Sequence, residues 1–252
     1  MVEPYTKLAT LYDTFGLADF STQIIPTLLD YALSTDWIGR SFLDLGCGTG
    51  AASVWLANEG YNVTGVDKSV EMLQVAQNKA NSGMGLSLQW KQADILQPAE
   101  TFPAVDMVIA LDVLNELESI KEIQTLFQQV LQSLKEQKLW VFDMYTIEGL
   151  AKLAAFPQAL LHDSQRLTLM TTTTFDYERQ MSVRRYLSYI SPEANVWRRA
   201  EGVRVLRAYP IQAIITLLQR VGFSNIQLFS NQFTPLDPRQ NVGERVIFYA
   251  GT

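Results

Sequence analysis

Leu43-Asp44-Leu45-Gly46-Cys47-Gly48-Thr49-Gly50 is the stretch that decides the fold. The run from Ser41 to Leu45 reads as a strand, and Ala51 to Glu59 as a helix closed by Gly60. Glycines at such a junction let the backbone turn sharply and let a ligand approach with no Cβ in the way. Gly46, Gly48 and Ala51 also satisfy the loose dinucleotide pattern G-x-G-x-x-G/A, so the glycines alone do not name the ligand. Asp44 separates the possibilities. A carboxylate two residues before the first glycine repels a pyrophosphate and attracts a cation. No Gly-Lys-Ser/Thr ending follows, which excludes a P-loop.

Outward from this loop the chain keeps an α/β rhythm. Asn62 to Val66 reads as the next strand, and Asp67 ends it 21 residues after Gly46, where an acid can take both hydroxyls of a ribose. A helix opens near Ser69 and fades at Asn81-Ser82-Gly83; Leu86 to Lys91 is a third strand. Beyond it, Gln92-Ala93-Asp94-Ile95 offers an acceptor for an adenine amino group and an apolar side chain for its ring, although Asp94 also reads as an ordinary loop acid or N-cap. Three acids after three successive strand ends point to one ligand at the switch-point edge of a parallel sheet. Val105 to Leu111 and Leu139 to Phe142 are further strands. Between them lies a helix whose capping box is Ser119 and Glu122.

The rhythm changes after residue 146. Ile147 to Leu161 reads as helix, and Arg166–Tyr177, Met181–Ile190 and Val196–Leu206 as a three-stranded antiparallel meander with turns at 178–180 and 191–195. Pro210 opens a last helix at its first turn and Gly222 ends it; Phe223–Phe229 and Arg245–Tyr249 close the sheet. At the other end, Ile24 to Leu33 reads as a helix behind an aromatic lead containing Tyr5, Tyr12, Phe15 and Phe20.

Composition narrows the function. Of 252 residues 48% are hydrophobic and 18% charged, enough for a large core and too apolar for disorder. Twenty lysines and arginines against 26 acids give −6, which argues against wrapping nucleic acid. One cysteine and one histidine exclude an internal disulfide and a Cys/His zinc cluster. The start, Met1-Val2-Glu3-Pro4-Tyr5, has no signal-peptide pattern, and no stretch reaches the roughly 20 apolar residues of a membrane span. A soluble cytoplasmic protein is expected.

The glycine run, Gly65-Val66-Asp67 with Ser69 and Met72-Leu73, and Ala93-Asp94-Ile95 together resemble the class I S-adenosylmethionine-dependent methyltransferases. The resemblance covers about 1–145 and resumes at about 208–250. It implies a Rossmann-like seven-stranded sheet, order 3-2-1-4-5-7-6 with strand 7 antiparallel, helices on both faces and an antiparallel β insert. A narrower similarity, carried by Tyr5 with Leu8-Ala9-Thr10-Leu11-Tyr12-Asp13, by Asp112-Val113-Leu114-Asn115-Glu116-Leu117 and by Phe142-Asp143-Met144 before the insert, is to bacterial small-molecule N-methyltransferases, including the amino-sugar and glycine type. The Pro-Gly-Gly turn usual before the fifth strand is replaced by Lys135-Glu136-Gln137-Lys138. On this resemblance residues 1–252 form a single methyltransferase domain with N-terminal lid helices (1–35) and the insert (147–207) as a substrate wall. S-adenosylmethionine is the expected cofactor and S-adenosylhomocysteine the product. The expected cofactor residues are Tyr12, Asp44, Gly46, Cys47, Gly48, Gly50, Asp67, Lys68, Met72, Asp94, Ile95 and Leu111.

Methyl transfer from a sulfonium needs alignment and dryness more than a nucleophile or metal. No catalytic triad stands out, and no catalytic residue is assigned. Cys47 lies in the glycine loop, away from where a cytosine-C5 enzyme holds its cysteine; Ala110-Leu111-Asp112-Val113-Leu114 lacks the Asx-Pro-Pro-aromatic motif of base-amino methylation. Asp112, Asn115 and Asp143 are the only magnesium ligands one would try, and His162 the only histidine base; a solvated histidine is the plainer reading. No metal is expected. Tyr12, Asn115, Tyr145 and Arg207 are candidate substrate-wall residues. Between Arg166 and Arg207 eight arginines face four acids, a local +4 that leaves −10 for the rest. That excess reads as a solvated face, as recognition of a substrate carboxylate or phosphate, or as a homodimer contact with an acidic surface. The expected substrate is a small polar metabolite methylated at N or O. A nicotinamide-dependent oxidoreductase and a non-catalytic adenosylmethionine-binding scaffold stay open as alternatives.

Overall fold

Short apolar strands separated by helices pair in parallel, because each helix returns the chain to the same starting edge. The computed structural model describes residues 5, 8–80, 87–98, 102–193, 196–240 and 242–252. Its first half runs α1 (Asp19–Ser34), β1 (Ser41–Leu45), α2 (Ala51–Asn58), β2 (Asn62–Asp67), α3 (Val70–Ala80), β3 (Leu88–Gln92), β4 (Val105–Ala110), α4 (Ile120–Ser133) and β5 (Leu134–Tyr145). Then come α5 (Ile147–Leu153), β6 (Gln158–Asp163), β7 (Leu167–Asp176), β8 (Met181–Glu193) and β9 (Val196–Arg207). The chain closes with α6 (Ile211–Val221), β10 (Ser224–Ser230) and β11 (Arg245–Gly251).

The main sheet has the order β10-β11-β5-β4-β1-β2-β3, with β11 antiparallel to both neighbours. This is the expected 3-2-1-4-5-7-6 arrangement. Alternation along each strand feeds two cores. Phe127, Trp140, Phe142 and Phe248 pack under α4 and α6 on one face; Ile25, Leu28, Phe42 and Leu56 pack under α1 and α2 on the other.

Several local expectations change. The first helix begins at Asp19 rather than Ile24 and accommodates Pro26. The helix expected over 147–161 stops at Leu153, and Pro157 leads into β6, so the insert has four strands (β6-β7-β8-β9) rather than three. A proline cannot continue the helical hydrogen-bond ladder, and the residue before it is pushed towards extended backbone. Around Lys135-Glu136-Gln137-Lys138 the chain passes from α4 into β5 as strand, and the Lys135 and Lys138 ammoniums sit 3.0 and 3.7 Å from Asp106. Pro210 caps α6 from outside its first turn. Ser119 accepts from Glu122 N–H, but the Glu122 carboxylate takes the N–H of Glu118, not of Ser119. Asn81-Ser82-Gly83, Leu86, Ala194-Asn195 and residues 1–4 lie outside the described residues.

The insert and the N-terminal segment meet over the carboxyl edge of the sheet. Leu8 and Phe15 pack on Leu169 and Tyr186, and Phe15 and Tyr186 touch edge to face at 5.4 Å. Asp13 accepts from Thr49 of the glycine loop (2.7 Å) and pairs with Lys79 of α3 (2.6 Å). Arg204 of β9, only 4% exposed, reaches down to Asp112 (2.9 Å) and Glu116 (2.7 Å). Removing one partner of a buried ion pair costs roughly 3–5 kcal/mol, because the remaining charge is stranded. Arg204→Met is therefore expected to lower the melting temperature by on the order of 10 °C. Amide exchange over residues 8–17 should quicken with it, as read by hydrogen–deuterium exchange. An unchanged melting temperature would mean that the insert is held by its apolar contacts alone.

Candidate active site

Three strand ends and the glycine loop build the site. Gly46 and Cys47 N–H groups donate to Val66 C=O at 2.8 and 2.9 Å, fixing the loop against β2. Asp67 then accepts from Gly48 N–H and Ser69 N–H, both at 2.9 Å. Gly46 has φ +71°, and a Cβ there would lie 2.5 Å from a Val113 methyl, so only glycine fits. Beside this loop is a cavity of about 290 Å³. Gly46, Gly48, Asp67, Lys68 and Met72 form one wall, residues 93–96 and 111–113 another, and Tyr5 and Tyr12 of the N-terminal segment cover it. A narrow cleft continues past Tyr12, Gly46, Gly48, Leu111 and Asp112 to Asp44 and Thr49.

The charges around this space are unbalanced. Among the described lining residues, Asp67, Asp94, Glu118 and Glu122 border the cavity with Lys68 as the basic one, while Asp112 and Glu116 are paired with Arg204 and Arg245. Burial raises the Asp67 carboxyl above its usual range, although its two backbone N–H partners oppose the shift. Asp44 is buried and accepts from Ser53 Oγ at 2.6 Å; burial, aided by the nearby Asp67 charge, pushes it up to about 7 against that hydrogen bond. Such a field suits a ligand carrying positive charge and hydroxyls, and opposes a pyrophosphate. The residues present fit S-adenosylmethionine.

Asp112, at the mouth of both spaces, has φ +63°, a strained conformation for a non-glycine residue. Two arginines hold it there. Arg204 and Arg245 each bond one carboxylate oxygen (2.9 and 2.7 Å), while the Asp112 N–H donates to Asp143 at 2.7 Å. Burial pushes Asp112 up, yet the arginines outweigh it and hold the carboxyl below its usual range. Arg245 also pairs with the fully buried Asp143 (2.6 Å), and its guanidinium lies 3.5 Å from the Phe20 ring and 4.3 Å from that of Tyr145. Tyr5 donates to Glu116, joining the N-terminal segment to the same network.

Of the residues expected at the cofactor, Tyr12, Gly46, Gly48, Asp67, Lys68, Met72, Asp94, Ile95 and Leu111 border the cavity, and Asp44 and Cys47 the cleft. Gly50 borders neither. Its place faces Trp90 and Ala76, so it serves helix packing. Asp94 accepts from Leu96 N–H at 2.9 Å, which also satisfies its reading as a loop acid. Burial pushes the Cys47 thiol well up. On the substrate side only Tyr12 reaches the cavity. Asn115 is occupied by backbone, donating to Tyr145 C=O (3.1 Å) and Arg207 C=O (2.8 Å) and accepting from Tyr145 N–H (2.7 Å). Tyr145 stacks on Arg245, and Arg207 lies on the opposite face of β9 from Arg204. The trial magnesium ligands Asp112 and Asp143 are bonded to arginines, and no metal-sized acid, histidine or cysteine cluster occurs among the described residues. His162 is exposed on the edge strand β6 and borders neither space. Glu116, Arg204 and Arg245 were not legible as site residues.

Comparisons with known proteins agree with this geometry. The family described as "Methyltransferase domain" matches residues 42–137. A Bacillus subtilis (strain 168) protein named "Putative methyltransferase YqeM" is 30% identical over 223 residues, covering 86% of this chain and 88% of its own. An S-adenosylmethionine-dependent methyltransferase from Clostridium acetobutylicum ATCC 824 superposes with a TM-score of 0.81 at 21% identity, covering 98% of both chains. The sugar N-methyltransferase KedS8 from Streptoalloteichus sp ATCC 53650 shares the fold with a TM-score of 0.66 at 16% identity, covering 93% of this chain and 85% of its own. Among the described residues no helix is long and apolar enough to cross a membrane. With its glycine loop, its acid-ended strands and its sevenfold sheet, the chain belongs to the class I S-adenosylmethionine-dependent methyltransferases.

Proposed function

We propose that this methyltransferase modifies a small polar metabolite, at an amine or a hydroxyl, by in-line displacement. The observation that carries the reading is the junction of cavity and cleft at Tyr12 and Asp112, covered by the N-terminal segment, which the insert braces through Leu169 and Tyr186. A space walled in this way admits a metabolite more readily than a folded macromolecule. Residues 1–35 act as a lid and 147–207 as a substrate wall within a single domain. The fold shared with a sugar N-methyltransferase supports the same substrate size.

S-adenosylmethionine supplies a methyl group on sulfur that is already a good leaving group. Asp67 would accept from the ribose hydroxyls, Ile95 would pack on the adenine, and Asp94 would meet the adenine amino group. Asp44, which borders the cleft, would attract the positive charge of the methionine half. Tyr12 and Asp112 flank the junction, and the lid keeps it dry, which favours charge-dispersing displacement. A neutral amine attacks without a strong base and sheds its proton to solvent or to a neighbouring carboxylate.

Asp67→Ala removes an acceptor from two hydroxyls, worth roughly 1.5–3 kcal/mol for bonds to a charged group. S-adenosylhomocysteine should bind about one to two decades more weakly by calorimetry. An unchanged affinity would reduce Asp67 to a loop-pinning role. The raised Asp44 pKa sets a pH dependence. The cation binds the ionised form, so binding lowers the Asp44 pKa and affinity rises as pH climbs through about 7. From pH 6 to 7.5, S-adenosylmethionine is expected to bind roughly five- to tenfold more tightly. Asp44→Asn should bind more weakly and lose that dependence; a slope retained in the variant would assign the titration elsewhere. The substrate class is tested by a labelled-methyl transfer screen across metabolite, RNA and protein pools. Label in metabolites is expected, and label in RNA or protein alone would refute the assignment.

A further inference from the structure

The inner face of the insert is unusually polar where it looks onto the site. Paired strands place their residues in rows across it: Thr171–Tyr186–Gly202, then Thr173–Arg184–Arg204, then Phe175–Ser182–Leu206. Residues paired across strands lie on the same face about 5 Å apart. The first row packs against the N-terminal segment through Tyr186, and the third against α5 through Phe175 and Leu206. The middle row therefore lies between two apolar contacts. Its two arginines differ. Arg204 is saturated by Asp112 and Glu116. Arg184 is half-buried, its guanidinium lies 5.3 Å from the Tyr186 ring, and its buried Nε has no hydrogen-bond partner. The buried Ser182 Oγ in the adjoining row also lacks one.

A guanidinium beside a second, already neutralised arginine keeps its positive charge, and its buried Nε–H is a donor left unmet. Nearby acids do not meet this need, because Asp112 and Glu116 are bonded to Arg204. We propose that the methyl acceptor carries an anionic group, carboxylate or phosphate, that Arg184 binds on this face with the Ser182 hydroxyl beside it. The proposal rests on the methyl-transfer reading above and adds a substrate class to it. The neighbouring Arg204 bonds Asp112, which borders the cofactor junction. The anion is thus held about one strand spacing, roughly 5 Å, across the insert from Arg204.

The test uses the full ¹⁵N-arginine-labelled chain saturated with S-adenosylhomocysteine, titrated separately with inorganic phosphate and with acetate. The Arg184 Nε–H resonance is the one missing from Arg184→Lys. It is expected to shift saturably with one of the two anions, and which one separates a phosphate from a carboxylate acceptor. Arg184→Gln should weaken that anion at least tenfold, by calorimetry, and leave S-adenosylhomocysteine affinity unchanged. Arg185→Gln, on the outer face and paired with Glu201, should leave both unchanged. No saturable shift with either anion, or an anion affinity indifferent to Arg184→Gln, overturns the proposal. Failure of S-adenosylhomocysteine to bind the unaltered chain would instead remove the functional reading beneath it.

Discussion

The ionic lattice around Asp112 is the constraint on which the upper half of this molecule depends. Asp112 pairs directly with Arg204 and Arg245, Asp143 with Arg245, and Glu116 links the lattice to Tyr5. These groups come from β5, β9 and β11, the loop after β4 and the N-terminal segment. Each alone would be strongly disfavoured in a buried place; together they are neutralised and hydrogen-bonded. The consequence is cooperative. The insert cannot leave the sheet edge without breaking the pairs of Arg204, and the N-terminal segment docks partly on the insert, through Leu169 and Tyr186, and partly on the glycine loop and α3. The strained backbone of Asp112 fits the same account, since two arginines stabilise a conformation that its own sterics oppose.

Beneath that lattice the cofactor edge keeps its negative excess. Arg204 and Arg245 neutralise the acids of the lattice, whereas the hydrogen bonds that Asp44 and Asp67 accept come from hydroxyl and backbone donors, and Lys68 opposes the Asp67 shift only weakly. Burial then disfavours their charged forms, so the site is poised to be completed by a cation. The same reasoning, with the sign reversed, applies to Arg184 one strand away from Arg204.

Local sequence carried the lower half well. Gly46, Gly48 and Asp67 were readable because their roles are backbone roles: a positive φ, a close approach, an acid where a strand stops. The strand order followed from the resemblance. Where the reading failed, a local cue met a competing one. Leu160 and Leu161 look helical after Ile147, yet Pro157 turns the segment into the edge strand β6. Gly50 looks like a ligand glycine in the motif but is needed against Trp90.

What the sequence by itself determined is the set of elements, the family and the acids along the carboxyl edge, because each rests on residues within one turn or one strand of another. Which arginine enters the site was decided by tertiary structure alone. Arg204 and Arg207 are three apart on one strand and so face opposite ways. Hydrophobic alternation would have turned Val203 and Val205 inward with Arg207, and the observed strand does the reverse. The side that wins is the one that can pair Arg204 with Asp112, 92 residues earlier, and local periodicity contains no information about a partner that distant. Asn115 illustrates the same limit: it was legible as a polar residue near the site, but only folding shows its amide occupied by the backbones of Tyr145 and Arg207.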